Sequence, residues 1–301
     1  MEENKNKKKK KINSDNVFNM VLVALVVLWV LIVIYPLIYV VSSSFSSGNA
    51  IATGKVILWP VDFNIEGYKI VFSHKAIWQA YGNTLFYTVV GSLISLVVTM
   101  FMAYPLSRKT FTGRKVIMTM CVITMFFGGG LIPTYILVSD LGLTNTRAVI
   151  LILGALNLSN MIIMRTYFKN NIPEELFEAA KLDGISDFGY FTKIVLPLSK
   201  PVLAVILLYC IVAHWNSYFI PLIYLNDREL FPLQLVLREI LNASRVDASQ
   251  IADSEVLAGI ANSVEVMKYA LVVVSTVPML ILYPFVQKFF KKGIMIGSLK
   301  G

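Results

Sequence analysis

Charge is scarce in this chain. Asp, Glu, Lys and Arg together make up 15% of 301 residues, with 18 acidic against 27 basic side chains. Cysteine is scarcer still: Cys121 and Cys210 both lie inside apolar runs, so neither a disulfide framework nor a thiolate metal site is expected, and both read as packing residues. There are two histidines, and a lone histidine within an apolar run is not a metal site. A G-x-x-x-x-G-K-[ST] run is missing, since the Lys109-Thr110 pair lacks the preceding glycines. That excludes this route to cradling ATP. No fixed-period repeat is visible, and no basic stripe interleaved with aromatics suggests nucleic acid as a partner.

What is present is apolar. Hydrophobic residues make up 56% of the chain and the mean hydropathy is +0.69, far above a soluble domain of this length. Six runs read as membrane spans, about 17–41, 81–106, 116–138, 148–164, 202–222 and 267–286. The first is too long for a signal-peptide core and no small-residue cleavage site follows it, so it is expected to stay in place. The third is interrupted by Gly128-Gly129-Gly130 and Pro133, where a helix must bend or break. No Asp or Glu falls within any of the six, which counts against an ion-coupled secondary transporter. A helix is also expected around Leu233 to Leu241.

The basic residues set a topology. With the N-terminus inside, 19 of the 27 Lys and Arg fall on the cytoplasmic side and 8 on the other, as the positive-inside rule requires. Residues 1–16, with Lys5 and Lys7 to Lys11, read as a basic cytoplasmic tail able to touch anionic lipid. Residues 17–290 form the spanning domain and 291–301 a second cytoplasmic tail.

The longest polar interruption on the cytoplasmic side is Asn171 to Pro201, NIPEELFEAAKLDGISDFGYFTKIVLPLSKP. Asn171 with Glu174 three residues on forms a capping box, and Pro173 falls in the first turn. Ile172, Leu176, Phe177 and Ala180 share one stripe, with Glu174, Glu175, Glu178 and Lys181 opposite. Gly184 provides a left-handed stop, and Ser186 caps a second short helix ending by Pro197. Five charges within ten residues keep this helix, bend and helix out of the hydrocarbon.

Glu178-Ala179-Ala180, Gly184 after three residues, and then Ile194, Leu196 and Pro197 resemble the EAA loop of permease subunits in ABC importers. The resemblance extends to carbohydrate permeases of the maltose type through Tyr104-Pro105-Leu106-Ser107-Arg108, Phe127 to Thr134, Trp215-Asn216 and the closing Gly293 to Gly301. Pro105 departs from that pattern, where a small residue is commoner. The finer likeness is to members associated with complex polysaccharides and oligosaccharides. The resemblance implies an all-α integral membrane protein of the type I ABC importer permease fold, with six transmembrane helices and a cytoplasmic coupling helix. It implies a bacterial cytoplasmic membrane location with both termini inside, and import of an oligosaccharide or other carbohydrate. It implies no catalytic residue and no cofactor on this chain, with ATP and Mg held by two ATP-binding subunits. The other expected partners are a second homologous permease, an extracytoplasmic sugar-binding protein and the lipid bilayer. Glu178, Ala179, Ala180, Asp183 and Gly184 would contact the ATPase subunit.

Two features of the spans are read two ways. His214-Trp215-Asn216-Ser217-Tyr218 places hydrogen-bonding and aromatic groups at membrane depth, fitting either a sugar path through His214, Trp215, Asn216 and Tyr218 or a packing hydrogen bond between helices. Gly128 to Gly130 with Tyr135 fits either a broken helix lining a cavity or close helix packing. Asn83, Ser92, Ser95 and Thr99 read as interhelical glue. An importer permease for a non-sugar solute, a secondary transporter and a membrane scaffold are the alternatives.

Overall fold

In the computed structural model, residues 14–250 and 255–298 are described, with side chains for 15–242 and 262–284. Lys5, Lys7 to Lys11 and Lys300 of the two basic tails lie outside the described residues. Among the described residues all regular structure is helical. In chain order these are α1 (Ser14–Ser44), α2 (Gly48–Ala52), α3 (Glu66–Ser73), α4 (Lys75–Ser107), α5 (Arg114–Phe126), α6 (Leu131–Asp140), α7 (Arg147–Leu153) and α8 (Leu158–Asn171). Then follow α9 (Glu174–Leu182), α10 (Asp187–Tyr190), a π-helical turn (Phe191–Val195), α11 (Leu196–Leu198), α12 (Lys200–Trp215), α13 (Phe219–Tyr224), a 3-10 turn (Arg228–Leu230), α14 (Leu233–Gln250) and α15 (Glu255–Ser298).

Among the described residues three helices are long and apolar enough to cross a membrane, within Asp15–Ser44, Lys75–Ser107 and Asn262–Pro284. Three pairs pass the same test only as bent pairs: α5 with α6 at 114°, α7 with α8 at 46°, and Asp187–Leu198 with α12 at 82°. The first bend falls where the glycine run predicts it. Gly130 has φ +84°, a conformation glycine adopts without a Cβ penalty, and Pro133 then sits in the first turn of α6, where its missing N–H costs little. The other breaks correct the sequence reading. The run at 148–164 is interrupted after Leu153, because Asn157 caps α8 by accepting from the Asn160 N–H at 3.1 Å. The run expected to continue to Leu222 stops at Trp215, and α13 begins only at Phe219.

The chain divides into two units, parted at Lys69/Ile70, Gln250/Ile251 and Val273/Val274. In the smaller, Ala50, Ile51 and Val56 pack with Val266, and Gly67 lies so close to the Val266 backbone that an added Cβ would sit 2.7 Å from its carbonyl oxygen. The most apolar window of α1 is 0% buried within the chain.

The larger unit is built around α4, against which α12 and α8 pack. The buried face of α4 carries Asn83, Thr84, Thr88, Ser92, Ser95 and Thr99, small polar residues that let helix backbones approach in a membrane. Some of this glue is in place: Asn83 Nδ2 donates to the Glu229 and Phe231 carbonyls at 2.6 and 3.1 Å. Towards the other end of α4, Ala103 and Leu106 join Met161, Met164, Phe191 and Ile206 in the principal core.

Candidate functional site

The segment from Asn171 to Pro201 folds as a helix, a left-handed turn and further helical turns. Its entry differs from the expected capping box. Asn171 ends α8, and its Nδ2 donates back to the Tyr167 carbonyl at 3.2 Å. Pro173 holds Ile172 extended, at φ −114° and ψ 105°, because a residue preceding proline is pushed out of the helical region. The Glu174 carboxylate, required for the box, is instead taken by Arg108 Nη2 at 2.9 Å. A charged tertiary partner has displaced a local cap.

The exit follows the expectation. Gly184 has φ +74°, the Ile185 N–H donates to the Ala180 carbonyl at 2.9 Å, and the Gly184 N–H donates to that of Lys181 at 3.1 Å. These are the two bonds of a Schellman turn. Ser186 Oγ then accepts from the Gly189 N–H at 3.1 Å, capping α10. The π-helical turn and the 82° bend at Ser199 carry the chain into α12.

Of the stripe expected to pack, Ile172 and Ala180 are buried and Phe177 is half-buried, whereas Leu176 is exposed. The outward side presents Glu178, Ala179, Asp183 and Gly184, all exposed. Between them stand two apolar side chains that sequence reading passed over, Leu182 at 90% exposure and Phe188 at 65%. Large apolar groups flanked by carboxylates on an exposed helical turn suit a protein partner.

The inward side is fixed by a joint that sequence reading also missed. The Arg108 side chain, 11% exposed, lies 4.0 Å from the Phe177 ring centroid and 5.6 Å from that of Tyr190, and the two rings meet edge to face at 5.2 Å. Arg165 Nε donates to the Leu106 carbonyl at 2.9 Å, and Arg114 Nη1 to that of Arg108 at 3.2 Å. Arg108 and Glu174 are 66 residues apart, a separation at which no local pattern signals a pair.

The second polar run is split by the end of α12. His214 is buried in a slot between two glycines: a Cβ added at either Gly91 or Gly154 would lie 2.6 Å from His214 Cε1. Ser95 Oγ closes the slot, donating to the Gly154 carbonyl at 2.9 Å and lying 3.1 Å from His214 Nε2. Trp215 is buried and its Nε1 donates to the Ser275 carbonyl at 3.1 Å. Asn216 and Tyr218 turn outward, Asn216 Nδ2 to the Val212 carbonyl at 2.9 Å and the Tyr218 ring beneath Arg238 at 5.0 Å. Tyr135 stacks on Tyr224 at 5.7 Å.

Two cavities flank α12. One, of about 620 Å³, is lined by apolar residues including Leu85, Val89, Leu207, Ile211 and Met279. The Thr88 and Ser92 hydroxyls on its wall have no hydrogen-bond partner among the described residues. The other, of about 280 Å³, is of mixed character, bordered by Ser95, Asn157, Asn160, Tyr209, His214 and Ser217 on one hand and by Ile150, Leu153, Leu156 and Ile220 on the other. Amides, hydroxyls and a phenol around the break between α7 and α8 can exchange hydrogen bonds with a polyol. Among the described residues no group of three or more His, Cys, Asp or Glu is placed to hold a metal ion.

The family described as "Binding-protein-dependent transport system inner membrane component" matches residues 17–296. The polygalacturonan/rhamnogalacturonan transport system permease protein YtcP of Bacillus subtilis is 39% identical over 287 residues, 95% of this chain and 99% of its own length. The arabinooligosaccharides transport system permease protein AraQ of Halalkalibacterium halodurans is 26% identical over 275 residues, 90% of this chain and 92% of its own. A crystal structure of a bacterial ABC transporter involved in import of the acidic polysaccharide alginate contains a chain with a TM-score of 0.82. That chain is 39% identical, and the match covers 92% of this chain and 98% of that one.

Proposed function

This chain belongs to the family of binding-protein-dependent transport system inner membrane components, and from that premise we propose how its two polar interruptions serve one ATP-driven import cycle. It is a multi-pass membrane permease with the type I ABC importer permease fold, and ATP hydrolysis takes place on a separate subunit. The proposed solute is an oligosaccharide or a fragment of a polysaccharide. Relatives named for polygalacturonan/rhamnogalacturonan and arabinooligosaccharides support that choice, as does the transporter of alginate. The polar cavity beside His214 supports it on chemical grounds.

In this reading six spans, three of them bent, cross a cytoplasmic membrane with both termini inside, as the 19 to 8 division of basic residues favours. The chain pairs with a second permease. Two nucleotide-binding subunits carry ATP and Mg, and an extracytoplasmic protein delivers the sugar. The helix α9 is the coupling helix: Glu178, Ala179, Leu182, Asp183 and Phe188 face the ATPase, while Ala180 and the turn at Gly184 fix its angle. The sugar passes Asn216, Tyr218 and the cavity bordered by His214, with Trp215 holding α12 and Tyr135 further along the path. Closure of the ATPase pair pushes α9, and the spans attached to it reorient the path.

The observation that carries this reading is the asymmetry of α9 and the turn after it, whose inner face is tied to the core while Leu182 at the end of α9 and Phe188 in α10 stand exposed beside carboxylates. In the reconstituted complex, Leu182→Asp and Glu178→Lys are expected to reduce sugar-stimulated ATP hydrolysis severely, since central interface residues contribute about 2 kcal/mol or more each. Wild-type stimulation in both variants would overturn it.

A further inference from the structure

We propose that Arg108 is a positioning residue for coupling: it joins the end of α4 to α9 so that displacement of α9 reaches α4 directly. The inference rests on the reading of α9 as the surface the ATPase moves.

The joint is built from both sides. Arg108 follows the last residue of α4, and its extended backbone, at φ −79° and ψ 138°, turns the side chain onto the coupling segment. There its guanidinium makes three contacts with three residues of that segment. It pairs with Glu174 in the first turn of α9 at 2.9 Å, lies over Phe177 in the next turn at 4.0 Å, and approaches Tyr190 beyond the Gly184 turn at 5.6 Å. A planar, always charged fork can hold a carboxylate and stack on a ring at once, which a lysine ammonium cannot reproduce. The Arg108 side chain is 11% exposed and that of Glu174 36%, so water screens the carboxylate in part while the guanidinium stays held against the two rings.

What the joint connects gives it consequence. The helix α4 is the element against which α12 and α8 pack, and it carries Ser95 on the border of the polar cavity. The covalent route from α9 to α12 passes through a positive-φ glycine, a π-helical turn and an 82° bend, each a place where a push can be absorbed. The route through Arg108 has no such turn. By contrast, Lys181 and Asp187 pair across the same glycine turn at 3.0 Å with side chains 49% and 69% exposed, and that pair links the segment only to itself.

The test uses the complete reconstituted complex, measuring sugar uptake per ATP hydrolysed, basal ATPase and yield of assembled complex. Arg108→Gln is expected to assemble and keep basal hydrolysis while uptake per ATP falls about 5-fold or more, the lower end of ordinary coupling energies. Glu174→Gln, which leaves the ring contacts in place, is expected to lose less in the same direction. The double variant should lose no more than Arg108→Gln alone, because the one contact that Glu174→Gln breaks is already gone in Arg108→Gln. Arg108→Lys should restore only part. Unchanged uptake per ATP in Arg108→Gln, or additive losses, would overturn the proposal. So would failed assembly of Arg108→Gln together with normal coupling in Glu174→Gln, which assigns Arg108 to folding alone. A complex sensitive to Leu182→Asp but indifferent to Arg108→Gln sinks the joint and leaves the docking reading standing. Indifference to Leu182→Asp sinks the docking reading and the joint with it.

Discussion

The segments 171–201 and 214–218 are both polar interruptions of an apolar chain, yet the fold treats them in opposite ways. The first keeps its most distinctive face outside, because Ile172, Ala180 and Phe177 together with Arg108 suffice to hold it, and Glu178, Ala179, Leu182 and Phe188 take no part in the core. The second is consumed by packing: His214 fills the slot between Gly91 and Gly154, Trp215 bonds to Ser275, and only Asn216 and Tyr218 remain outward. Surface left over once the fold has met its own needs is what a partner or substrate can use. Residue chemistry alone does not reveal which part that will be.

That contrast can be broken at the glycines. Gly91→Ala places a Cβ 2.6 Å from the His214 ring and should cost about 1–3 kcal/mol of stability through overpacking. It would appear as a lower thermal midpoint of the assembled complex, and His214→Ala in the same chain should relieve part of it. Gly184 has nothing within 4 Å of an added Cβ, so Gly184→Val acts through its positive φ alone, at about 1–2 kcal/mol. Stimulated ATPase should fall while the melting of the membrane part stays near wild type. Equal effects of the two variants on melting would erase the distinction between the segments.

Smaller effects sharpen it. Asn216→Ala and Tyr218→Ala should each lower uptake several-fold without loss of assembly, as expected for hydrogen bonds worth about 0.5–1.5 kcal/mol. Reduced yield with normal uptake per complex would instead place both residues in packing. Lys181→Ala removes an exposed pair worth about 0–1 kcal/mol, so stability and stimulation should be nearly unchanged.

Much of the architecture was legible because it rests on local signals. Span positions follow from runs of apolar residues, the break at Gly128 to Gly130 from three adjacent glycines, and the Gly184 turn from a glycine placed between a helix and the capping Ser186. The errors have two physical origins, a local cap that interrupts an apolar run, as Asn157 does before α8, and competition from distant residues. Asn171 and Glu174 satisfy a capping pattern, but Asn171 is used as the end of α8, Pro173 holds Ile172 extended, and the Glu174 carboxylate pairs with Arg108. The chain after Trp215 reads as continuous helix, yet it breaks there, with the indole of Trp215 anchored on Ser275 and the ring of Tyr218 under Arg238. Leu182 and Phe188 went unremarked since single exposed apolar residues are common on any surface. Only the packed core around them shows that these two were left out.

Site-directed crosslinking reads out whether α9 and the turn after it meet the ATPase subunit. Single cysteines replacing Leu182 or Phe188 can be paired with cysteines lining the ATPase cleft, against a low background because Cys121 and Cys210 are buried. Crosslinks are expected at both positions, with a yield that changes between nucleotide-free and ATP-bound complexes. An assembled, active complex that forms neither crosslink in any nucleotide state would contradict it.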